Sequence, residues 1–275
     1  MILTAIPRYL FFRFSIILLS LMTLGALQGC TKNIKIPIGS PGTQEDWAPE
    51  QADRLWAVIL EQAVDAQGRI DFAGLAQNPS RLRAYVAYIG HTAPHNRPDL
   101  FPDQNSRLAY YLNSYNALAM YGVVKLGVEG GFESLLARAN FFKYTRYAVG
   151  GDWISLLDYE NEVIRPLGDP RVHFALNCMV VGCPRLPRVP FQGDQLDQQL
   201  ERVTREFLNQ SRNVQVQKKK KVVFLSEIFD FYTKDFLNRK RSPTLIIYIN
   251  RYRKTLVPKN YDIEFLPYDW TLNRQ

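Results

Sequence analysis

Cysteine is scarce in this chain: three in 275 residues, too few for a scaffold built on disulfides. The Gly-Gly pairs at 130–131 and 150–151 lack the following helix pattern and lysine that a phosphate cradle needs. Neither a serine-centred nucleophile elbow nor an HExxH zinc helix occurs. The apolar run Phe14–Leu27 is 14 residues long, short of the roughly 20 that cross a bilayer as a stable helix. What is present is a globular composition, 47% hydrophobic, 22% charged and 13% aromatic, which excludes disordered, collagenous and coiled-coil chains. Net charge is +8, from 34 basic and 26 acidic residues. A nucleic-acid reading would need a recognition motif beside that surplus, and none is found.

Residues 1–29 have the three parts of a secretory signal: Arg8 and Arg13, the run Phe14–Leu27, and small residues before a cleavage point. The segment ends Leu27-Gln28-Gly29-Cys30, which resembles the lipobox of bacterial lipoproteins. That resemblance implies cleavage before Cys30 and acylation of its thiol and amino group, palmitate being a typical acyl group. A plain secretory peptide followed by a chance cysteine is the alternative. Each buried CH₂ adds ~0.8 kcal/mol, so several acyl chains suffice as a membrane anchor. Thr31 follows the cysteine, not Asp; in a host with two membranes this implies the outer one, facing the periplasm. Residues 30–46 read as a tether, because Pro37, Gly39, Pro41 and Gly42 break any period. Residues 47–275 read as a single domain without internal repeats.

Apolar spacing predicts helices over 50–64, 79–89, 107–126 and 194–209, the third ending at Gly127 as its cap. Gly150-Gly151 should turn a hairpin between 141–149 and 153–156. A short helix is expected over 158–165, stopped by Pro166, and a buried strand over 171–177. Segments 214–217 and 222–225 can pair across the lysine run 218–221. Ser226 should cap a helix over 227–237, with a last helix over 243–252 and an edge strand over 263–266. Helices and hairpins alternate without repeated βαβ units. The expected fold class is α+β, with helices packed on a small, mostly antiparallel sheet.

The densest segment is Asp169–Pro190, DPRVHFALNCMVVGCPRLPRVP. As a strand it would put Arg171, His173, Ala175 and Asn177 on one face, opposite the core face of Val172, Phe174 and Leu176. A guanidinium and an imidazole on a central strand must find partners or line a cavity. Cys178 and Cys183 follow, and three readings stay open for them. A disulfide is favoured in an oxidising compartment and would contribute roughly 2 kcal/mol. A thiol activated by His173 comes second, and a metal site with His173 third, since no fourth ligand is evident. His91 and His95 lie in a Pro-rich stretch and read as exposed loop histidines.

In Tyr110–Asn116 (YYLNSYN), Asn113 and Asn116 are i, i+3 neighbours beside an apolar stripe. They would lock a loop or strand against the helix, or alternatively orient a histidine or bind a polar ligand. Glu160 and Arg165 fit either a buried charge network or an acid–base site, with Arg171 or Glu162 as partners. The basic surplus is local: from residue 214 onward 13 basic residues face 6 acidic ones. A solvated face explains this most simply; contact with anionic lipid or a cell-wall polymer is the alternative.

Four blocks, Tyr111–Leu118 (YLNSYNAL), Tyr159–Arg165 (YENEVIR), Asp169–Pro184 and Val223–Phe236 (VFLSEIFDFYTKDF), together resemble the domain of unknown function 547 family. The resemblance spans about residues 105–255. Where that family commonly has a histidine after the glutamate of the third motif, this chain has Asn161. The resemblance implies the fold, a pocket and a role for His173 with its cysteines, but no reaction. The expected function is a lipid-anchored envelope binding or assembly factor, gripping a peptide, glycan or partner protein in a polar pocket around His173. That pocket should lie between the Asn113/Asn116 helix and the Arg171–Cys183 segment. The alternative is a thiol hydrolase or transferase with Cys178 or Cys183 as nucleophile, His173 as base and an asparagine or Glu160 as orienter. No cofactor, metal or nucleic acid is assigned.

Overall fold

The computed structural model describes residues 34–36 and 47–275; the expected signal segment, Cys30 and most of the expected tether lie outside them. Four helices open the body: α1 (Pro49–Ala63), α2 (Phe72–Gln77), α3 (Ser80–His91) and α4 (Gln104–Leu126). In α1 the buried stripe is Ala52, Trp56, Ile59, Leu60 and Ala63, while Val58, expected inside, is 36% exposed. Trp56 stacks on Tyr85 of α3, ring centroids 5.1 Å apart. α4 begins where the Asp103 carboxylate accepts the Ser106 N–H at 2.8 Å, and it ends at Gly127, whose φ of +62° only glycine adopts cheaply. Leu108–Val123 is buried nearly all round except at Tyr111, so α4 is the central helix.

Two three-stranded sheets accompany the helices, each combining one antiparallel and one parallel pairing. The first joins β1 (Ile34–Lys35), β2 (Thr145–Val149) and β3 (Asp152–Ser155). Gly150 and Gly151 close its hairpin with φ of +57° and +92°, the double positive φ of a type I′ turn. β1 runs parallel to β2, and the Ile36 N–H beyond it donates to the Arg146 carbonyl at 3.0 Å. Ile36 is buried, so part of the segment expected to be tether is seated on the folded body. After α5 (Leu196–Leu208) comes the second sheet, the hairpin β4 (Val214–Gln217) and β5 (Val222–Ser226) turning at the lysine run as expected. α6 (Leu245–Asn250) and β6 (Asp262–Leu266) complete it, β6 as the edge strand beside β5. The α+β class is what the structure shows. Among the described residues no helix is long and apolar enough to cross a membrane.

The short helix expected over 158–165 is π-helical over Tyr159–Ile164 and passes into a 3₁₀ turn through Pro166; two further elements change form. Arg171–Asn177 is not a strand: Pro170–Phe174 is a 3₁₀ turn. Proline at the first position sets the helical φ, and the Asp169 carboxylate caps the turn by accepting the Arg171 N–H at 2.9 Å. The helix expected over 227–237 breaks into two turns, Ile228–Phe231 and Thr233–Phe236, because Tyr232 leaves helical geometry at φ −121°, ψ 26°. Both departures place side chains at the site described next.

Candidate functional site

In a 3₁₀ turn, residues two apart diverge instead of sharing a face. Arg171 and His173 therefore part company. Arg171 points to a surface acid cluster: Nη2 lies 2.7 Å from both Asp169 and Asp197, and Nη1 3.8 Å from Glu201. Hydrogen bonds to Asp169 lead in pushing its pKa further up. It clamps the turn to α5 and does not line the cavity beside His173. His173 turns inward, its side chain 1% exposed.

His173 sits in a chain of charges. Its Nε2 lies 2.8 Å from Asp235 Oδ2, and Asp235 is held bidentately by Arg165 at 2.7 and 3.0 Å. Burial alone would raise the Asp235 pKa. Hydrogen bonds from His173 and Arg165, with their charges, outweigh it and hold the carboxyl well below the usual range. Arg165 thus pairs with Asp235, not Glu162, and it also donates to Asn161. The Tyr232 ring stacks on the imidazole, centroids 3.9 Å apart, and Phe236 meets it edge-on. Facing Nδ1 at 3.8 Å is Glu160 Oε1, and the Tyr115 hydroxyl lies 3.5 Å from Oε2. Burial, then the Glu160 charge, pushes the Tyr115 phenol up.

A cavity of about 340 Å³ opens over this chain. Its floor is buried Tyr115, Glu160, His173, Leu176, Pro184 and Ile228; Lys143, Leu157 and Phe231 stand exposed at its rim. Phe142, Tyr268 and Trp270 fill the wall between. The expected polar pocket is therefore chiefly aromatic and aliphatic, with a few polar groups at its inner end. Glu160 comes from the π-helical segment Tyr159–Ile164; Ala139, Phe142 and Lys143 come from a second one, Ala139–Tyr144. Such widened helices are rare and concentrate at functional sites.

Asn113 and Asn116 lie on α4 as expected but line no part of the cavity. The Asn113 amide brackets Phe191, donating to its carbonyl at 2.8 Å and accepting its N–H at 2.9 Å. Asn116 does the same for the Ala175 carbonyl at 3.0 Å and the Asn177 N–H at 2.8 Å. Both are the locks weighed in the sequence, with no amide left to orient His173. Cys178 and Cys183 are joined as a disulfide, with Cys178 on the cavity wall and the Tyr268 hydroxyl 3.3 and 3.2 Å from the two sulfurs. Reduction, or Cys183→Ser, is expected to lower unfolding free energy by about 2 kcal/mol from loop entropy. Urea titrations with and without dithiothreitol check this; unchanged midpoints would refute it.

The site residues not foreseen are Asp235, Tyr232, Tyr268 and Trp270. Asp235 had a signal, a carboxylate inside the fourth motif beside apolar positions. Tyr268 and Trp270 come from the last stretch of the chain, where no period announces them. Among the described residues no group of three or more His, Cys, Asp or Glu side chains is arranged to hold a metal ion.

Residues 100–208 match the model of a family described as Protein of unknown function, DUF547. No curated protein and no solved structure matches the chain. The DUF547 match takes in the YLNSYNAL, YENEVIR and Arg171–Cys183 motifs, hence Tyr115, Glu160, His173 and the disulfide. Asp235 and the aromatic wall at Tyr268 and Trp270 lie outside it.

Proposed function

We propose that this chain is a lipid-anchored binding protein of the bacterial cell envelope, whose cavity beside His173 holds a small, largely apolar ligand. The observation that carries the reading is that cavity: about 340 Å³, walled by aromatic rings, with a buried carboxylate and imidazole at its inner end. Small-molecule sites are typically apolar clefts of ~300–1,000 Å³ with a few placed polar groups. A volume at the low end suits a small molecule or one residue of a peptide better than a glycan chain. Binding is preferred to thiol catalysis because the two sulfurs are bonded to each other, so neither is a nucleophile until reduced.

Ala139 lines the cavity and is half-buried, so Ala139→Trp should fill the space from its rim with little strain. A fragment screen by ligand-observed NMR should find binders to the native chain that the variant loses. A screen yielding none that distinguish the two would refute the pocket reading. The anchor rests on the lipobox resemblance at Leu27–Cys30. Cys30→Ser is expected to abolish lipid labelling and release the protein from the membrane fraction; retention in that fraction would refute it.

A further inference from the structure

We infer that the inner end of the cavity is a receptor for an organic ammonium group, a protonated amine or quaternary ammonium on a small apolar body. This rests on the cavity being a binding site, as proposed above. The first observation is Glu160. Its side chain is only 10% exposed, yet the imidazole nitrogen facing it, His173 Nδ1, is 3.8 Å away. The Tyr115 hydroxyl at 3.5 Å is at the outer limit of hydrogen bonding. Tyr232 adds a second phenol to the same carboxylate. Among the described residues no lysine or arginine forms an ion pair with Glu160. Arg165, the nearby cation, is engaged bidentately with Asp235. A buried carboxylate with phenol and imidazole neighbours but no lysine or arginine partner attracts a positive charge more strongly than one in water.

The second observation is the wall. Tyr115, Phe142, Phe231, Tyr232, Tyr268 and Trp270 surround the space in front of Glu160. Aromatic faces carry negative potential and are the recurrent cage for ammonium ligands. Trp270 already takes a cation in this way: the Arg138 guanidinium lies 4.1 Å from its ring centroid. That arginine keeps its positive charge at the cavity wall, and Nε and Nη2 donate to the Phe132 and Glu133 carbonyls at 2.8 and 2.9 Å. Lys143 is exposed at the rim, where water screens it and where it would oppose a second positive charge on the ligand. The site thus suits a monocation over a polyamine, and the Glu160 carboxylate opposes an anion at the inner end.

Three probes of one shape test this: 2-phenylethylamine, 2-phenylethanol and 3-phenylpropionate, titrated calorimetrically into the native chain and Glu160→Gln. The native chain should bind the amine roughly tenfold more tightly than the alcohol, with the propionate weakest. Glu160→Gln should bring amine and alcohol to equal affinity. Amine and alcohol binding alike in the native chain, or the propionate binding best, would overturn the ammonium inference and leave the pocket standing. Binding of none of the three would overturn both. The native series decides the matter even where Glu160→Gln folds poorly.

Discussion

Asn116→Ala is expected to destabilise the fold by about 4 kcal/mol, since each buried backbone group left unpaired costs roughly 1–3 kcal/mol and a cavity adds to that. The wild-type amide is 1% exposed and serves the Ala175 carbonyl and Asn177 N–H together, fixing the chain just after His173. Its partner Asn177 continues the bracing by donating to the Pro184 carbonyl at 2.7 Å and accepting the Met179 N–H at 2.7 Å. Without Asn116 the cavity's Leu176 and Cys178 would lose their backbone support. Urea denaturation followed by circular dichroism measures the loss. A change below about 1 kcal/mol would mean that water substitutes for the amide.

Asp235→Asn is expected to cost about 3 kcal/mol at pH 7, the lower end for breaking a buried ion pair because the carboxylate is a quarter exposed. The pH dependence follows from sign. The folded pKa of Asp235 is depressed, so its stabilisation is complete above the unfolded value, about 3.9, and is lost as pH falls through the depressed range. The wild type should therefore lose this advantage over Asp235→Asn progressively below about pH 4. Denaturation midpoints of the two proteins at pH 7, 4 and 2.5 test it. A constant gap across that range would show that the Arg165–Asp235–His173 chain contributes nothing through charge.

These two residues mark the division between what could be read in advance and what could not. Asn116 was legible because a polar side chain next to a helical apolar stripe must be satisfied locally, and its lock was among the stated roles. The four long helices, both hairpins and the α+β class were legible for the same kind of reason: period and turn chemistry act within a few residues. The partner of His173 was not. Asp235 is 62 residues away in sequence, and only tertiary packing brings the two together. The 3₁₀ turn at Pro170–Phe174 hid behind an alternating pattern that a proline and a capping aspartate override. That error placed Arg171 beside His173, where the structure separates them. The π-helical segments carry no compositional mark at all.

One consequence concerns height above a bilayer. Ile34 is already clipped onto β2, four residues beyond Cys30. At no more than ~3.6 Å per residue, that leaves a leash of about 14 Å. Were Cys30 acylated as proposed, that length, and not a seventeen-residue string, would set how far the body could stand from the headgroups.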